Sequence, residues 1–118
     1  LYNNRGFAYD SLQQYEPALK DYDRAIQLDT TVDFYYAHRG TMRLLLKNYE
    51  GALNDFNKAI ELNNTRAEDY ANRGAAYLLL GEIEKGIADL RYALTMTDDP
   101  NLREQLLKSI EQAENAPP

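Results

Sequence analysis

The chain repeats itself at a step of 34 residues, and this repetition constrains its fold more than any other feature. Arg-Gly pairs stand at positions 5–6, 39–40 and 73–74. Residues 36–64 match residues 2–30 at 12 of 29 positions and residues 70–98 at 10 of 29, where chance gives about 2. Because one short unit cannot bury its own apolar face, three copies predict a stacked array.

Each unit is predicted to form two helices joined by a short turn. In the middle unit, apolar residues recur at steps of three and four from Tyr49 to Leu62, which predicts an amphipathic helix. Pro17 falls in the first turn of the second helix of the first unit, where a missing N–H costs little. The sequence predicts seven helices and no strands, with the helices near residues 2–13, 15–28, 34–46, 49–62, 68–80, 83–96 and 100–113.

The segment after the third unit has the features of a closing helix. Asp99 is a favourable N-cap, Pro100 suits the first helical position, and Leu102, Leu106 and Ile110 recur at helical steps. Repeat arrays need a polar-faced end of this kind. We expect a single domain over residues 1–116, made of units near 1–32, 33–66 and 67–100, a capping helix over 100–113, and a tail at 116–118.

Composition excludes several kinds of chemistry. The 118 residues include no Cys and one His, which rules out disulfide frameworks, thiolate metal sites and cysteine nucleophiles. His38 has no motif placing a Ser or Asp beside it, so we predict no catalytic residue, no metal, no cofactor and no enzyme activity. The net charge of −6 argues against nucleic acid as a partner, and no apolar run is long enough to span a membrane.

The first residue of the chain and its Cys content bear on two questions, whether the chain is a fragment and which cellular compartment it occupies. The first unit begins two residues late at Leu1, without a Met, which favours a fragment of a longer protein. The absence of Cys slightly favours a cytoplasmic setting but does not fix a compartment.

The repeated anchors resemble a known family. The middle unit reads Tyr36-x2-Arg39-Gly40-x2-Arg43 followed by Ala52-x3-Phe56, and the other units keep this spacing from Tyr2 and Tyr70. With Tyr in place of Trp and Arg in place of Leu, this resembles the tetratricopeptide repeat (TPR). The resemblance covers nearly the whole chain. It implies an all-α, right-handed superhelical solenoid of antiparallel helix pairs.

The resemblance also implies a function. Members of this family are usually interaction scaffolds, in which the first helices of successive units line a concave groove that holds a peptide or partner helix. Carried over to this chain, the partner-binding residues would be Asn3, Phe7, Asp10, Phe34, His38, Thr41, Leu44, Glu68, Asn72 and Leu78. We therefore expect a protein or peptide segment as the partner. The alternatives are a structural self-association module, or an accessory domain of a larger enzyme or regulator.

One subclass of the family grips the C-terminal carboxylate of chaperones with Lys, Asn and Arg side chains. The matching positions here carry Asn3, Phe7, His38, Glu68 and Asn72. Two cations of that clamp are replaced, one by neutral Asn3 and one by Glu68, which would repel a carboxylate. We therefore do not expect a chaperone C-terminal tail as the partner.

Two charged patterns have a structural and a binding interpretation. Arg5, Arg39 and Arg73 recur with Asp21, Asp55 and Asp89, once per unit. A partly buried Arg favours a bidentate carboxylate, which predicts a ladder tying first helices to second helices, with anion binding as the alternative. Arg39, Arg43 and Lys47 share one helix face, so they are either neutralised by acidic neighbours or recognise an acidic segment.

Pairs of leucines raise a further hypothesis. The second unit has Leu44 and Leu45 and the third has Leu78 and Leu79, where the first unit has Asp10 and Ser11. The polar pair shows that the repeat does not require apolar residues there. The leucines therefore either pack under the following loops or form an apolar patch at one edge of the groove.

Overall fold

The computed structural model describes the backbone of residues 4–117 and the side chains of residues 15–117. Within that part of the chain it contains six helices and no strand, which confirms the predicted all-α class. The helices are α1 (Asn4–Leu28), α2 (Asp33–Leu45), α3 (Tyr49–Leu62), α4 (Ala67–Leu79), α5 (Ile83–Met96) and α6 (Pro100–Glu114). The bounds of α2 to α6 lie within one residue of those predicted from the sequence.

The first unit differs from the prediction, because α1 is one unbroken helix of 25 residues. The prediction of separate helices over 2–13 and 15–28 is therefore wrong within the described residues. The chain reverses at Lys47 (φ 67°) before α3 and at Gly81 (φ 84°) before α5. The matching position is Gln13, a good helix former that does not favour positive φ. Pro17 consequently lies inside a helix instead of in its first turn.

Helices that follow one another in the chain pack side by side, and α2 also touches α4. The second helix of one unit thus lies between the first helices of two units. Within the third unit, the approach of α4 and α5 is close: a Cβ on Gly74 would lie 3.0 Å from the carbonyl oxygen of Gly86. This explains why the sequence keeps glycine in mid-helix despite its poor helix propensity.

The buried side chains form three clusters, and each cluster joins successive helices. One contains Ile26, Tyr36 and Ala59 from α1, α2 and α3. A second joins Phe56 of α3 to Ala76 of α4. The third includes Ala67, Leu90, Ala93, Leu106 and Ile110 from α4, α5 and α6. Stability is therefore shared between neighbouring units, as in other repeat arrays.

Helix α6 closes the array at the segment where the sequence predicts a cap. The Asp99 side chain accepts a hydrogen bond from the Asn101 amide at 3.1 Å and so caps the helix. Leu106 and Ile110 are buried against α5. The outward face is polar, and it carries Glu104, Lys108 and Glu111 at the register that holds Tyr70, Gly74 and Tyr77 in α4.

Candidate functional site

The candidate site is the face formed by the first helices, here called the open face. On α2, Phe34, His38, Thr41 and Leu45 recur at steps of four, three and four, which places them in one stripe. On α4, the same register holds Glu68, Asn72, Ala75 and Leu79. No helix of the described chain covers these two stripes completely, since Phe34 is 50% exposed and Leu79 is 53% exposed.

A cleft of about 400 Å³ opens on this face between α4 and α6. Its α4 wall consists of Glu68, Ala71, Asn72, Ala75 and Leu78. Three of these, Glu68, Asn72 and Leu78, are the groove residues that the family resemblance implies for the third unit. Its floor is apolar and its other wall belongs to α6. The floor and the α6 wall consist of Leu90, Leu102, Gln105, Leu106 and Ser109.

The α6 wall was missed by the sequence interpretation, although a signal for it was present. Leu102, Leu106 and Ser109 stand 34 residues after Glu68, Asn72 and Ala75. The sequence predicts this segment to be a cap alone, and residues of its inner face are not among the predicted groove residues. In the structure α6 both covers α5 and supplies one wall of the cleft.

Two of the residues predicted for the second unit, Phe34 and His38, lie in a stack of rings on the open face. The His38 ring stacks on Phe34 with 5.9 Å between ring centroids and on Tyr22 of α1 with 5.6 Å. The Arg66 guanidinium lies over the Phe34 ring, 3.5 Å from its centroid. Thr41 donates its hydroxyl hydrogen to the Ala37 carbonyl within α2. Asn3, Phe7 and Asp10 lie outside the side chains that the structure describes.

The leucine pairs divide between the core and the surface. Leu44 packs on the cluster around Phe56, and Leu78 packs on the cluster around Leu90 while lining the cleft. Leu45 and Leu79, by contrast, are 47% and 53% exposed. The exposed apolar edge therefore consists of the second leucine in each pair.

Several carboxylates lie near the N-terminal ends of α2 and α4. Asp33 lies 2.7 Å from Arg66 in a partly buried ion pair. Asp69 is 3% exposed, and its Oδ2 atom is buried without a hydrogen-bond partner among the described residues. Burial raises the pKa of Asp69, because the charged form loses water, although the nearby Arg66 lowers it in part.

The arginine ladder is confirmed for the two units whose side chains are described. Arg39 makes a bidentate contact with Asp55 at 2.8 and 3.0 Å, and Arg73 contacts Asp89 at 2.8 Å through two nitrogens. Asp55 also accepts a hydrogen bond from Arg43 at 3.0 Å. The carboxylates raise the pKa of Arg39 and of Arg73. The side chains of Arg39 and Arg43 are thus neutralised within the array.

The described side chains offer little for other kinds of site. No three His, Asp or Glu side chains among them come together as metal ligands. None of the helices in the described range is both long enough and apolar enough to cross a membrane.

Antiparallel helices that stack in sequence order, with an open face on their first helices, define an α-solenoid built from two-helix repeats. The sequence matches the family model described as tetratricopeptide repeat over residues 1–31 and the one described as TPR repeat over residues 40–81. This chain belongs to the tetratricopeptide repeat family.

Solved structures of similar shape agree with this assignment. The first TPR of Spaghetti (RPAP3), bound to the HSP90 peptide SRMEEVD, has a TM-score of 0.79 and 25% identity, with 95% of this chain and 89% of that chain covered. The second TPR domain of human RPAP3, in complex with the HSP70 peptide SGPTIEEVD, has a TM-score of 0.76 and 27% identity, with 92% and 90% covered.

A third structure shows the same fold at lower identity. The type III secretion translocator chaperone SycD of Yersinia enterocolitica has a TM-score of 0.82 at 17% identity, with 92% of this chain and 77% of that chain covered. A comparison with curated proteins found no match. The expectation that a chaperone tail is not the partner gains no support here, since the two RPAP3 domains are described in complexes with such peptides.

Proposed function

We propose that this chain is a binding module without catalytic activity, and that it holds a segment of a partner protein along the open face. The observation that carries the proposal is the cleft between α4 and α6, which combines an apolar floor with a polar rim. Sites of this composition bury an apolar side chain and orient it with a few polar groups.

The site residues proposed on the described part of the chain fall into two groups. Glu68, Asn72 and Leu78 contact the partner within the cleft. Phe34, His38, Thr41 and Leu44 belong to α2, where the exposed Phe34 and His38 rings extend the binding surface. We propose that Asn3, Phe7 and Asp10 continue the same surface in the first unit.

The comparisons support a peptide as the occupant. Both RPAP3 domains, which share 25% and 27% identity with this chain, are described with bound chaperone peptides. The coarser role of a protein-interaction scaffold is therefore the one that this chain shares with its neighbours.

The test is a selection of peptides followed by variants of the open face. Random dodecapeptides displayed on phage are selected on the intact chain, and the enriched peptides are measured by fluorescence anisotropy. Ala75→Arg places a large side chain in the cleft, whereas Gln112→Arg introduces the same residue at an exposed α6 position outside the cleft lining.

We expect Ala75→Arg to abolish binding and Gln112→Arg to leave it unchanged, at equal melting temperatures. Equal binding to both variants, or the absence of any enriched peptide, would contradict the proposal. Light scattering at several concentrations accompanies the assay, because a self-associating chain would occupy the open face with its own copies.

A further inference from the structure

The cleft between α4 and α6 carries one charged side chain, and that charge is negative. Among its lining residues, Glu68 is the single ionised group, beside the neutral polar Asn72, Gln105 and Ser109. The rest of the lining is Ala or Leu. A partner segment in the cleft therefore meets an acidic group beside an apolar floor and meets no cation from the lining itself.

The surroundings of Glu68 add to the negative potential. Asp33 begins α2, the buried Asp69 follows Glu68 in α4, and Glu68 and Asp33 both act to raise the pKa of Asp69. Arg66 is engaged with Asp33 at 2.7 Å and with the face of Phe34, and His38 also acts to lower the pKa of Asp69. Two of these carboxylates, Asp33 and Asp69, thus lie near one guanidinium that already has partners.

Acidic residues in the first turn of a helix also stabilise the helix by opposing its dipole. That effect accounts for acidic residues at the start of α4, which has Glu68 and Asp69 in its first turn, and of α5, which has Glu84. It does not depend on which face the side chain occupies. Glu68 differs from Glu84 in lining the cleft.

We propose that the occupant is a protein segment with a large apolar side chain next to a Lys or Arg. This inference rests on the proposed function and specifies its partner. The apolar side chain packs on Leu78, Leu90, Leu102 and Leu106, and the cation pairs with Glu68 at the rim. The charge pair sets specificity, because a segment with a carboxylate at that place is repelled by Glu68.

The experiment uses the intact chain and two sets of probes. One set consists of the dodecapeptides enriched on the wild-type chain, and the other is the synthetic acidic peptide SRMEEVD. Binding is compared among the wild type, Glu68→Lys and Glu84→Lys. Glu84 is a matched control, because it holds the same position in the first turn of α5 as Glu68 holds in α4, and it is exposed.

We expect the enriched peptides to combine Lys or Arg with a large apolar residue, and to bind Glu68→Lys at least about fivefold more weakly, as reversal of an exposed charge at the rim of the cleft predicts. Glu84→Lys should bind them as the wild type does. A new selection on Glu68→Lys should favour acidic peptides.

Enriched peptides without a preference for cations, or equal effects of Glu68→Lys and Glu84→Lys, would overturn the inference. So would SRMEEVD binding the wild type as tightly as the selected peptides do. In each of these cases loss of binding in Ala75→Arg would leave the proposed function standing. If binding survives in Ala75→Arg, the proposed function fails and the inference fails with it.

Discussion

Arg39 and Arg73 each connect three helices. Beyond the aspartate of its own unit, Arg39 reaches Asp23 on α1 at 2.8 Å, and Arg73 reaches Asn57 on α3 at 3.2 Å. Both second partners stand 16 residues before the arginine, so the arrangement repeats with the sequence. These arginines therefore hold neighbouring units together, and the structure favours this role over anion binding.

Replacement of Arg73 tests the strength of this connection. Arg73→Met should lower the free energy of unfolding by about 2 to 3 kcal/mol, because it leaves the 8% exposed Asp89 without its charged partner. Arg43→Met should cost less, since Asp55 keeps its contact with Arg39. Urea unfolding measures both variants, and equal losses would show that the pairs do not behave as buried charges.

Asp69 gives a second prediction at this scale, with a dependence on pH. Because burial raises the folded-state pKa of Asp69 above its unfolded value of 3.8, its ionised form lowers stability at neutral pH. Its contribution is most favourable below the unfolded pKa and is lost as pH rises through the raised pKa. Asp69→Asn should therefore stabilise the fold at pH 7 by about 1 kcal/mol.

The advantage of Asp69→Asn should shrink as pH falls through the raised pKa of Asp69, and it should be gone below the unfolded value of 3.8, where the carboxyl group is protonated in both the folded and the unfolded chain. Thermal unfolding across this range checks the sign. Asp33→Asn is the contrasting variant, because it removes the ion pair with Arg66 and should destabilise the fold. A lower melting temperature for Asp69→Asn at pH 7 would contradict the prediction.

The sequence predicts some of these side-chain contacts and not others, for physical reasons. The pairs of Arg39 with Asp55 and of Arg73 with Asp89 were predictable because both members recur at the step of the repeat. Asp23 and Asn57 share a register but not a residue type, so no repeated pair marked them. The exposure of one leucine in each pair depends on how each helix is rotated about its axis against its neighbours. The pattern of residues alone does not determine that rotation.

At the scale of the elements, the sequence predicts the helix boundaries correctly where the residues between two helices favour a turn. Lys47 and Gly81 adopt positive φ at the two confirmed reversals, and Asn48 caps α3 by accepting a hydrogen bond from the Gly51 amide at 3.0 Å. The first unit has Gln13 and Gln14 at the matching positions of Lys47 and Asn48. Gln13 does not favour positive φ, and Gln14 is not a favourable N-cap residue. The repeat pattern therefore predicts a helix pair where the structure has one helix.

Pro17 makes the continuity of α1 measurable. A proline inside a helix removes one backbone hydrogen bond and crowds the preceding turn, at a cost of about 3 kcal/mol relative to alanine. Because Pro17 lies within α1, Pro17→Ala should raise the free energy of unfolding by an amount approaching this value. Chemical denaturation of the two proteins measures it.

The matched control for Pro17→Ala is Gln14→Ala, which changes a nearby α1 position without proline and should alter stability by only a few tenths of a kcal/mol. A proline in the first turn of a helix costs little, since its missing N–H has no partner there. A negligible effect of Pro17→Ala would therefore place a helix start shortly before residue 17 and contradict an unbroken α1.

At the scale of the whole molecule, stability is distributed along a line of neighbouring contacts. Two of the three buried clusters join one unit to the next, the third joins the third unit to α6, and contacts between helices far apart in sequence are few. An interior unit is covered on both sides. The third unit depends on α6 for its outer side, so the end of the array determines whether its core stays closed.

Removal of residues 100–118 should destabilise the fold severely. Leu106 and Ile110 are 2% and 7% exposed, and their loss uncovers Leu90 and Ala93 on α5. At about 25 cal/mol per Å², losing a few hundred Å² of apolar burial costs several kcal/mol, a large part of the stability of a typical domain.

Removal of residues 116–118 alone is the control, because this tail lies beyond α6. Melting by circular dichroism should show a large decrease for the longer deletion and almost none for the shorter one. If the longer deletion melts within a degree or two of the intact chain, α6 is not a cap and the third unit closes its core without it.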